Sequence, residues 1–367
     1  MNPGNAPAHR VPRRSPPRRS WLEFLRIFVH TPSVVGAERP FLLTLAREME
    51  ALGLRTTQYA GLLAVQGPRP DDALVSVHVD RHGLLCTGPS EFQYAAFIAQ
   101  HKGERDGDSV SEQTYRLLLE RFVGEEVIAY EPWGGAYLGR GTIREAQFCE
   151  HRGNVFFEVS DLEHVPAGCP VAYADYLESN DAFVTAQLDN VLSVALAASL
   201  FAEGFAGTAL FTCQEEAGRS WRFVHDYVVR TSCRPKRFLV LDTSPFPDSE
   251  SATRQQVVLR HRDAHAEFDR RLADELRGYC ENLGVAYGFK DEFVESVNRR
   301  HLVEGGRPMS YGNTELGRLA AFSGGLMNGV TVQIPTTGYH TNEETAAVAA
   351  VEGVQHLLTR ILLERNP

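Results

Sequence analysis

Residues 208–218 read TALFTCQEEAG, and this stretch decides how the rest of the chain is read. It is an apolar, β-favouring run that ends on two adjacent carboxylates, Glu215 and Glu216. Side chains alternate between the faces of a strand, so neighbouring acids at its end can serve two different tasks in one cleft. Acid pairs are also common on protein surfaces, so this pair gains meaning only from what the other strands carry.

Working outward, the same texture recurs. The helical run VLSVALAASLFAEGF precedes the stretch, with Asp189 and Asn190 at its start, and the next strand, RFLVLD, again ends in an acid, Asp242. Earlier, ALVSVHVD (73–80) places His78 and Asp80 two apart, hence on one face, where the chain leaves a strand. Later, GVTVQIP runs into TTGYHTNEE, with His340 in the loop before a final helix expected over 343–363. Apolar strands alternating with helices predict an α/β fold, a three-layer α/β/α catalytic domain with a mostly parallel central sheet. Ligands of such sheets bind at the carboxyl ends of the strands, where these acids and histidines fall.

The other elements are coarser. Amphipathic helices are predicted at 21–29, 39–53, 220–229 and 267–283, and strands at 54–59, 62–66, 256–261 and 286–294, with a loop at PFPDSES. Between residues 88 and 185, after a helix at 112–122, EEVIAYE, AYLGRGTIREAQF, NVFFEV and CPVAYA form short alternating segments punctuated by Gly and Pro. These residues read as a small β-rich domain inserted into the catalytic one, which then comprises 21–87 and 186–367. Residues 106–112 read as a loop.

Composition bounds the function. The 367 residues, 43% apolar and 23% charged, suffice for two compact units. A net charge of −10 argues against nucleic acid as the main partner, and no apolar run approaches the roughly 20 residues needed to cross a bilayer. The six cysteines are scattered without a C-x-x-C pair, which suits reduced thiols in a cytoplasmic protein. Residues 1–20, rich in Pro and Arg, read as a disordered tail. Arg18 and Arg19 hint at an export signal, but Glu23 and Arg26 interrupt the apolar stretch such a signal requires.

Assembled, His78, Asp189, Glu216, Asp242 and His340 are N and O donors on one expected sheet edge. Two histidines with three carboxylates suit a pair of zinc-like ions with one carboxylate bridging them, and Co or Mn overlap with Zn in ligand preference. Two such ions about 3.5–4 Å apart polarise a carbonyl and ionise a shared water, the chemistry of aminopeptidases and related amide hydrolases. Glu215, beside a ligand, is the candidate proton shuttle.

The segments VSVHVDRHG, AQLDN, FTCQEEAG, LVLDTSP and IPTTGYHT resemble, in order, the motifs of the dizinc tetrahedral or glutamyl aminopeptidases. The resemblance spans Trp21 to Leu363, the insertion included. It implies that His78 and Asp242 hold one ion, Glu216 and His340 the other, and that Asp189 bridges. It further implies that Asp80 orients His78, that Glu215 is the base, and that the chain forms a homo-oligomer. Departures cluster near the substrate pocket. Val191 and Thr337 stand where arginine is frequent, and YGNTELG replaces a glycine-rich segment, which places Thr314 and Glu315, with Tyr339, at that pocket. The stretch 89–126 is also longer than usual.

Removal of N-terminal residues from short peptides is therefore the expected activity. The pocket departures leave a two-metal deacylase of N-acylated amino acids or capped peptides as the alternative, and an inactive metal-binding assembly module as a third reading. The string His261, Asp263, His265 reads as a turn in which Asp263 caps a helix, His82 as a surface histidine, and Cys213 as core.

Overall fold

Local chemistry starts the chain's order: the Ser20 side chain accepts from the Glu23 backbone N–H while the Glu23 carboxylate accepts from the Ser20 N–H, at 2.8 Å, a capping box that opens helix α1 (Trp21–Val29). The computed structural model describes residues 19–100, 111–306 and 308–364. The expected tail thus lies outside the described residues through 18, and the expected loop at 106–112 lies outside them through 110.

Helix α2 (Arg39–Ala51) follows, then the antiparallel pair β1 (Arg55–Tyr59) and β2 (Leu62–Gln66), and then β3 (Leu74–His78), buried along its whole length. A barrel comes next, from β4 (Leu84–Gly88) and β5 (Glu91–Tyr94) through helices α3 (Ala95–Ala99) and α4 (Glu112–Phe122) to β6 (Glu126–Tyr130), β7 (Tyr137–Cys149), β8 (Asn154–Ser160) and β9 (Pro170–Tyr173). Its strands close in the order β4-β5-β8-β7-β6-β9 around a separate core that includes Phe92, Phe122, Tyr130, Ile143 and Phe157.

The chain then re-enters the large sheet as the hairpin β10 (Leu177–Ser179) and β11 (Phe183–Ala186). Helix α5 (Val191–Glu203) leads to β12 (Thr208–Thr212), α6 (Ser220–Thr231), β13 (Phe238–Pro245) and the short α7 (Ser249–Thr253). The remainder is β14 (Val257–Leu259), α8 (Arg270–Leu283), β15 (Tyr287–Phe289), α9 (Lys290–Glu304), α10 (Glu315–Phe322), β16 (Val330–Thr337), β17 (Glu344–Ala347) and α11 (Val348–Leu362).

The large sheet runs β1-β2-β12-β3-β13-β16-β17-β11-β10, with β14 against β16 and β15 against β14. Its centre, β12-β3-β13-β16, is parallel, and antiparallel strands extend both sides. Pleating sends Val75 and Val77 of β3 into a core shared with α1, α2, α5, α8 and α11, and Leu74 into another shared with α6 and α10. These are the three layers of the predicted α/β fold. Helix α5 is apolar all round because α1 covers the side that the sheet does not.

Several local expectations shift. β13 continues past Asp242 to Pro245 because Thr243, Ser244 and Pro245 keep pairing with β16. The strand expected at 286–294 stops at Phe289, and α9 begins with Asp291 and Glu292 in its first turn, where the helix dipole favours acids. The final helix starts at Val348, since residues 344–347 pair with β11 and β16. Asp248 caps α7 inside the expected loop by accepting from the Ser251 N–H.

Candidate metal centre

Strand direction brings the donors together. β16 and β11 are each antiparallel to β17, so β11 points the same way as β16, and the ends of β11, β12, β3 and β16 all open at one edge of the sheet. β3 ends on His78, whose register partner on β12 is Thr212, the last strand residue before the turn that carries Glu215 and Glu216. Asp242 projects from β13, the other neighbour of β3. Asp189 follows β11, with a cis peptide to Asn190, and His340 follows β16 at φ +61°.

Two carboxylates hold these loops. Asp80 accepts the Glu215 N–H at Oδ1 and the Glu216 N–H at Oδ2, both at 3.0 Å. Glu344 accepts the Asp189 N–H at Oε2, 2.7 Å, and the His340 N–H at Oε1, 2.6 Å. His78 turns Nδ1 toward the Asp80 backbone carbonyl, 3.2 Å, leaving Nε2 for the centre, while the Asp80 carboxylate stands 3.7 Å from that Nδ1.

At the centre, Asp189 faces two ways. Its Oδ1 is 3.3 Å from His78 Nε2, which is 3.4 Å from Asp242 Oδ1. Its Oδ2 is 3.5 Å from His340 Nε2, itself 3.5 Å from Glu216 Oε1. These separations are long for hydrogen bonds. They match the ligand-to-ligand edge of a tetrahedral zinc site, roughly 3.3–3.4 Å for metal–ligand bonds of about 2.0–2.1 Å. Among the described residues, His78, Asp189 and Asp242 form one group able to hold a metal, and His82, Glu216 and His340 another. Asp189 Oδ1 and His82 Nε2 are buried without a hydrogen-bond partner, so the donor set fits two cations.

The electrostatics agree. Burial works against a charge on His78, but contacts with Asp189, Asp242 and Asp80 raise its pKa well above the ordinary value. Burial would raise Asp189, yet His340 and His78 pull it down. Burial lowers His340 to about 4 against the opposing pull of Glu216, and raises Glu216 to about 7. Glu215 belongs to neither donor group, and its pKa is raised well above the carboxylate range, by burial first and then by Glu216, Asp242 and Asp80.

No protein-family model matches the chain, and no curated protein matches its sequence. Solved structures do match. An aminopeptidase of the archaeon Desulfurococcus kamchatkensis superposes with a TM-score of 0.68 at 15% identity, over 95% of each chain. The TET aminopeptidase of Thaumarchaeota archaeon SCGC AB-539-E09 gives 0.67 at 14%, over 93% of this chain and 96% of the other. The Pyrococcus horikoshii TET1 peptidase gives 0.63 at 18%, over 94% and 100%. The chain has the TET aminopeptidase fold.

Within that fold, the side chains expected at the pocket go to different places. Thr314 caps α10 and donates its hydroxyl to Asp263 Oδ2, 2.9 Å. Glu315 is buried and accepts from Ser76 of β3 and from Thr212 Oγ1 of β12, the latter at 2.8 Å. Both are committed to internal partners. Tyr339 stays 46% exposed, its ring against His340 and under the Arg121 guanidinium of α4.

His82 is not on the surface. It is 5% exposed, with Nε2 2.9 Å from Glu216 Oε2, its ring 3.8 Å from that of His340, and Nδ1 2.6 Å from the Tyr94 hydroxyl of β5. Burial and the charge of Arg121 lower its pKa to about 3, so it is neutral. Its two-residue spacing from Asp80 was the available signal; the barrel strand that covers it was not visible locally. Glu344 stands in TNEE beside a second acid, and nothing local in that string marks its role. Asp263 accepts the His265, Ala266 and Thr314 N–H groups, and α8 is capped instead by Asp269. Cys213 lies in the core, as expected.

Proposed function

We propose that the chain is a two-metal peptidase that removes the N-terminal residue of short peptides. The observation that carries this is the two-faced Asp189, each oxygen paired with a histidine and a further carboxylate, next to a Glu215 outside both donor groups. In this reading His78 and Asp242 hold one ion, Glu216 and His340 the other, and Asp189 spans both. Zn is the ion the donors favour, with Co or Mn as substitutes. When bound, the ions polarise the scissile carbonyl and acidify water.

The chain's own groups do the rest. Glu215 accepts a proton from the attacking water at a carboxylate oxygen and delivers it to the leaving nitrogen as the C–N bond breaks. Burial, with the charges of Glu216, Asp242 and Asp80, raises its pKa above the ordinary carboxylate value, the direction that lets a carboxyl group hold a proton between taking and returning it. Asp80 fixes its backbone, so the shuttle and the ligand Glu216 are set by one acid. From the inserted unit, Arg121 reaches over the Tyr339 ring and Tyr94 contacts His82, so both approach the site.

A homo-oligomer is part of the proposal, because the Pyrococcus horikoshii TET1 peptidase assembles into a tetrahedron or a large octahedral shell. Leu302, Val303 and Leu326, each more than 80% exposed, offer apolar surface for subunit contact. The free cysteines suit a cytoplasmic location.

The test is release of chromophore from aminoacyl anilides, with and without chelator, beside N-acylated analogues. Chelator-sensitive activity on free N-termini is expected. Glu215→Gln should lose about 10²–10⁴-fold in kcat while keeping its ions, as removal of a general base does. Turnover of acylated substrates alone would reject the aminopeptidase reading, and full activity in Glu215→Gln would reject the assigned base.

A further inference from the structure

The second donor group contains one residue more than a symmetric site needs. Asp189 gives each side one oxygen, and the His78 side adds His78 and Asp242. The other side adds His340 and Glu216, and His82 then arrives from the chain leaving β3, its Nε2 2.9 Å from Glu216 Oε2.

Two features argue that this nitrogen faces a cation. At 2.9 Å from a carboxylate oxygen, His82 Nε2 still makes no hydrogen bond of acceptable geometry and is buried without a partner. Meanwhile Nδ1 lies 2.6 Å from the Tyr94 hydroxyl, so an Nδ1–H donated there leaves Nε2 with a free lone pair. Histidines that bind metal commonly donate their other ring N–H to such a partner, which fixes tautomer and ring orientation.

We propose that His82 is a further metal ligand, so that the ion beside Glu216 and His340 has four protein donors, Asp189, Glu216, His340 and His82. The ion beside His78 and Asp242 keeps three. Four protein ligands close a zinc-like coordination sphere, while three leave a position for water or a substrate carbonyl. The site is therefore asymmetric: one ion is anchored and the other carries the exchangeable position. Tyr94 is a positioning residue in this scheme, and through it the barrel sets the orientation of a ligand. The inference rests on the two-ion reading above.

The test loads the full chain with cobalt(II), counts ions by elemental analysis and records solvent-exchangeable, hyperfine-shifted imidazole N–H resonances. Each coordinated histidine gives one such signal. Three are expected, from His78, His82 and His340, and His82→Asn should show two, with affinity for one ion lowered by about tenfold or more. Affinity alone would not separate a ligand from a hydrogen-bonding neighbour, but the signal count does. Two signals in the wild-type protein, with two cobalt ions bound, would overturn the role of His82 even if no variant folds. An unchanged spectrum in a folded His82→Asn would do the same. Fewer than two ions bound by the wild-type protein would instead defeat the two-ion reading itself.

Discussion

Replacing Glu344 by glutamine tests whether the ligand loops are held by an acid that touches no ion. Its carboxylate, 2% exposed, accepts one backbone N–H from Asp189 and one from His340. An amide keeps one oxygen and presents an NH₂ where the other stood, so one N–H loses its acceptor and faces a donor. Hydrogen bonds to charged groups contribute about 1.5–3 kcal/mol, and a stranded buried N–H costs about 1–3 kcal/mol. Loss of one bond should therefore destabilise the protein by about 2–3 kcal/mol. Glu344→Ala, which removes both bonds and leaves a cavity, should cost more.

The sign of a second effect separates ion-loaded from ion-free protein. The charge of Asp189 lies close enough to raise the pKa of Glu344, second only to burial itself. Neutralising Glu344 relieves that repulsion when no cation is present, so Glu344→Gln should lose less stability without ions than with them. His340 stands at φ +61°, a conformation that a non-glycine residue adopts at a cost of about 1–3 kcal/mol, and the Glu344 bond helps hold it there. Zinc affinity should consequently fall about 10- to 100-fold, as when other supports of metal ligands are removed. Urea denaturation in chelator and in zinc, with a competition titration, measures both quantities. A variant within about 0.5 kcal/mol of the parent, binding zinc equally well, would refute the reasoning.

Two further outcomes follow from packing and burial. Gly317→Ala would normally favour helix α10, but an added Cβ would lie 1.9 Å from Asp263 Oδ2, the oxygen that accepts from Thr314; a loss of about 1–3 kcal/mol by chemical denaturation is expected, and a gain would contradict the clash. Burial, followed by the charge of Arg260, lowers the Lys290 pKa to about 7, so between that value and the ordinary value of about 10.4 the unfolded chain binds the extra proton and wild-type stability rises with pH. Lys290→Met should thus be more stable than wild type near pH 6.5, with an advantage that shrinks toward about pH 10 in paired denaturation curves; a difference independent of pH would show that Lys290 keeps its charge in the fold.

How far the sequence could be read depended on the range of the interaction. The parallel centre was legible because β3, β12, β13 and β16 are apolar runs that end in polar residues. Glu344 was not, because its partner Asp189 is 155 residues away and nothing in TNEE marks a carboxylate that closes two loops. His82 failed for a related reason: it reads as surface until β5 of the barrel covers it with Tyr94. The strand expected to continue to residue 294 was lost to the acids at 291 and 292, which start a helix more readily than they extend a strand. Thr314 and Glu315 were placed at the pocket by motif position, whereas their polar atoms are committed to Asp263 and to the underside of β3 and β12.

Asp80 and Glu344 together divide the labour of the site. Neither belongs to a donor group, yet between them they fix the backbones of Glu215, Glu216, Asp189 and His340. A change at one candidate donor therefore alters a single group, while a change of either anchor frees two backbone N–H groups together. A single substitution at Asp80 or Glu344 thus reaches two residues of the site at once, although neither acid belongs to a donor group.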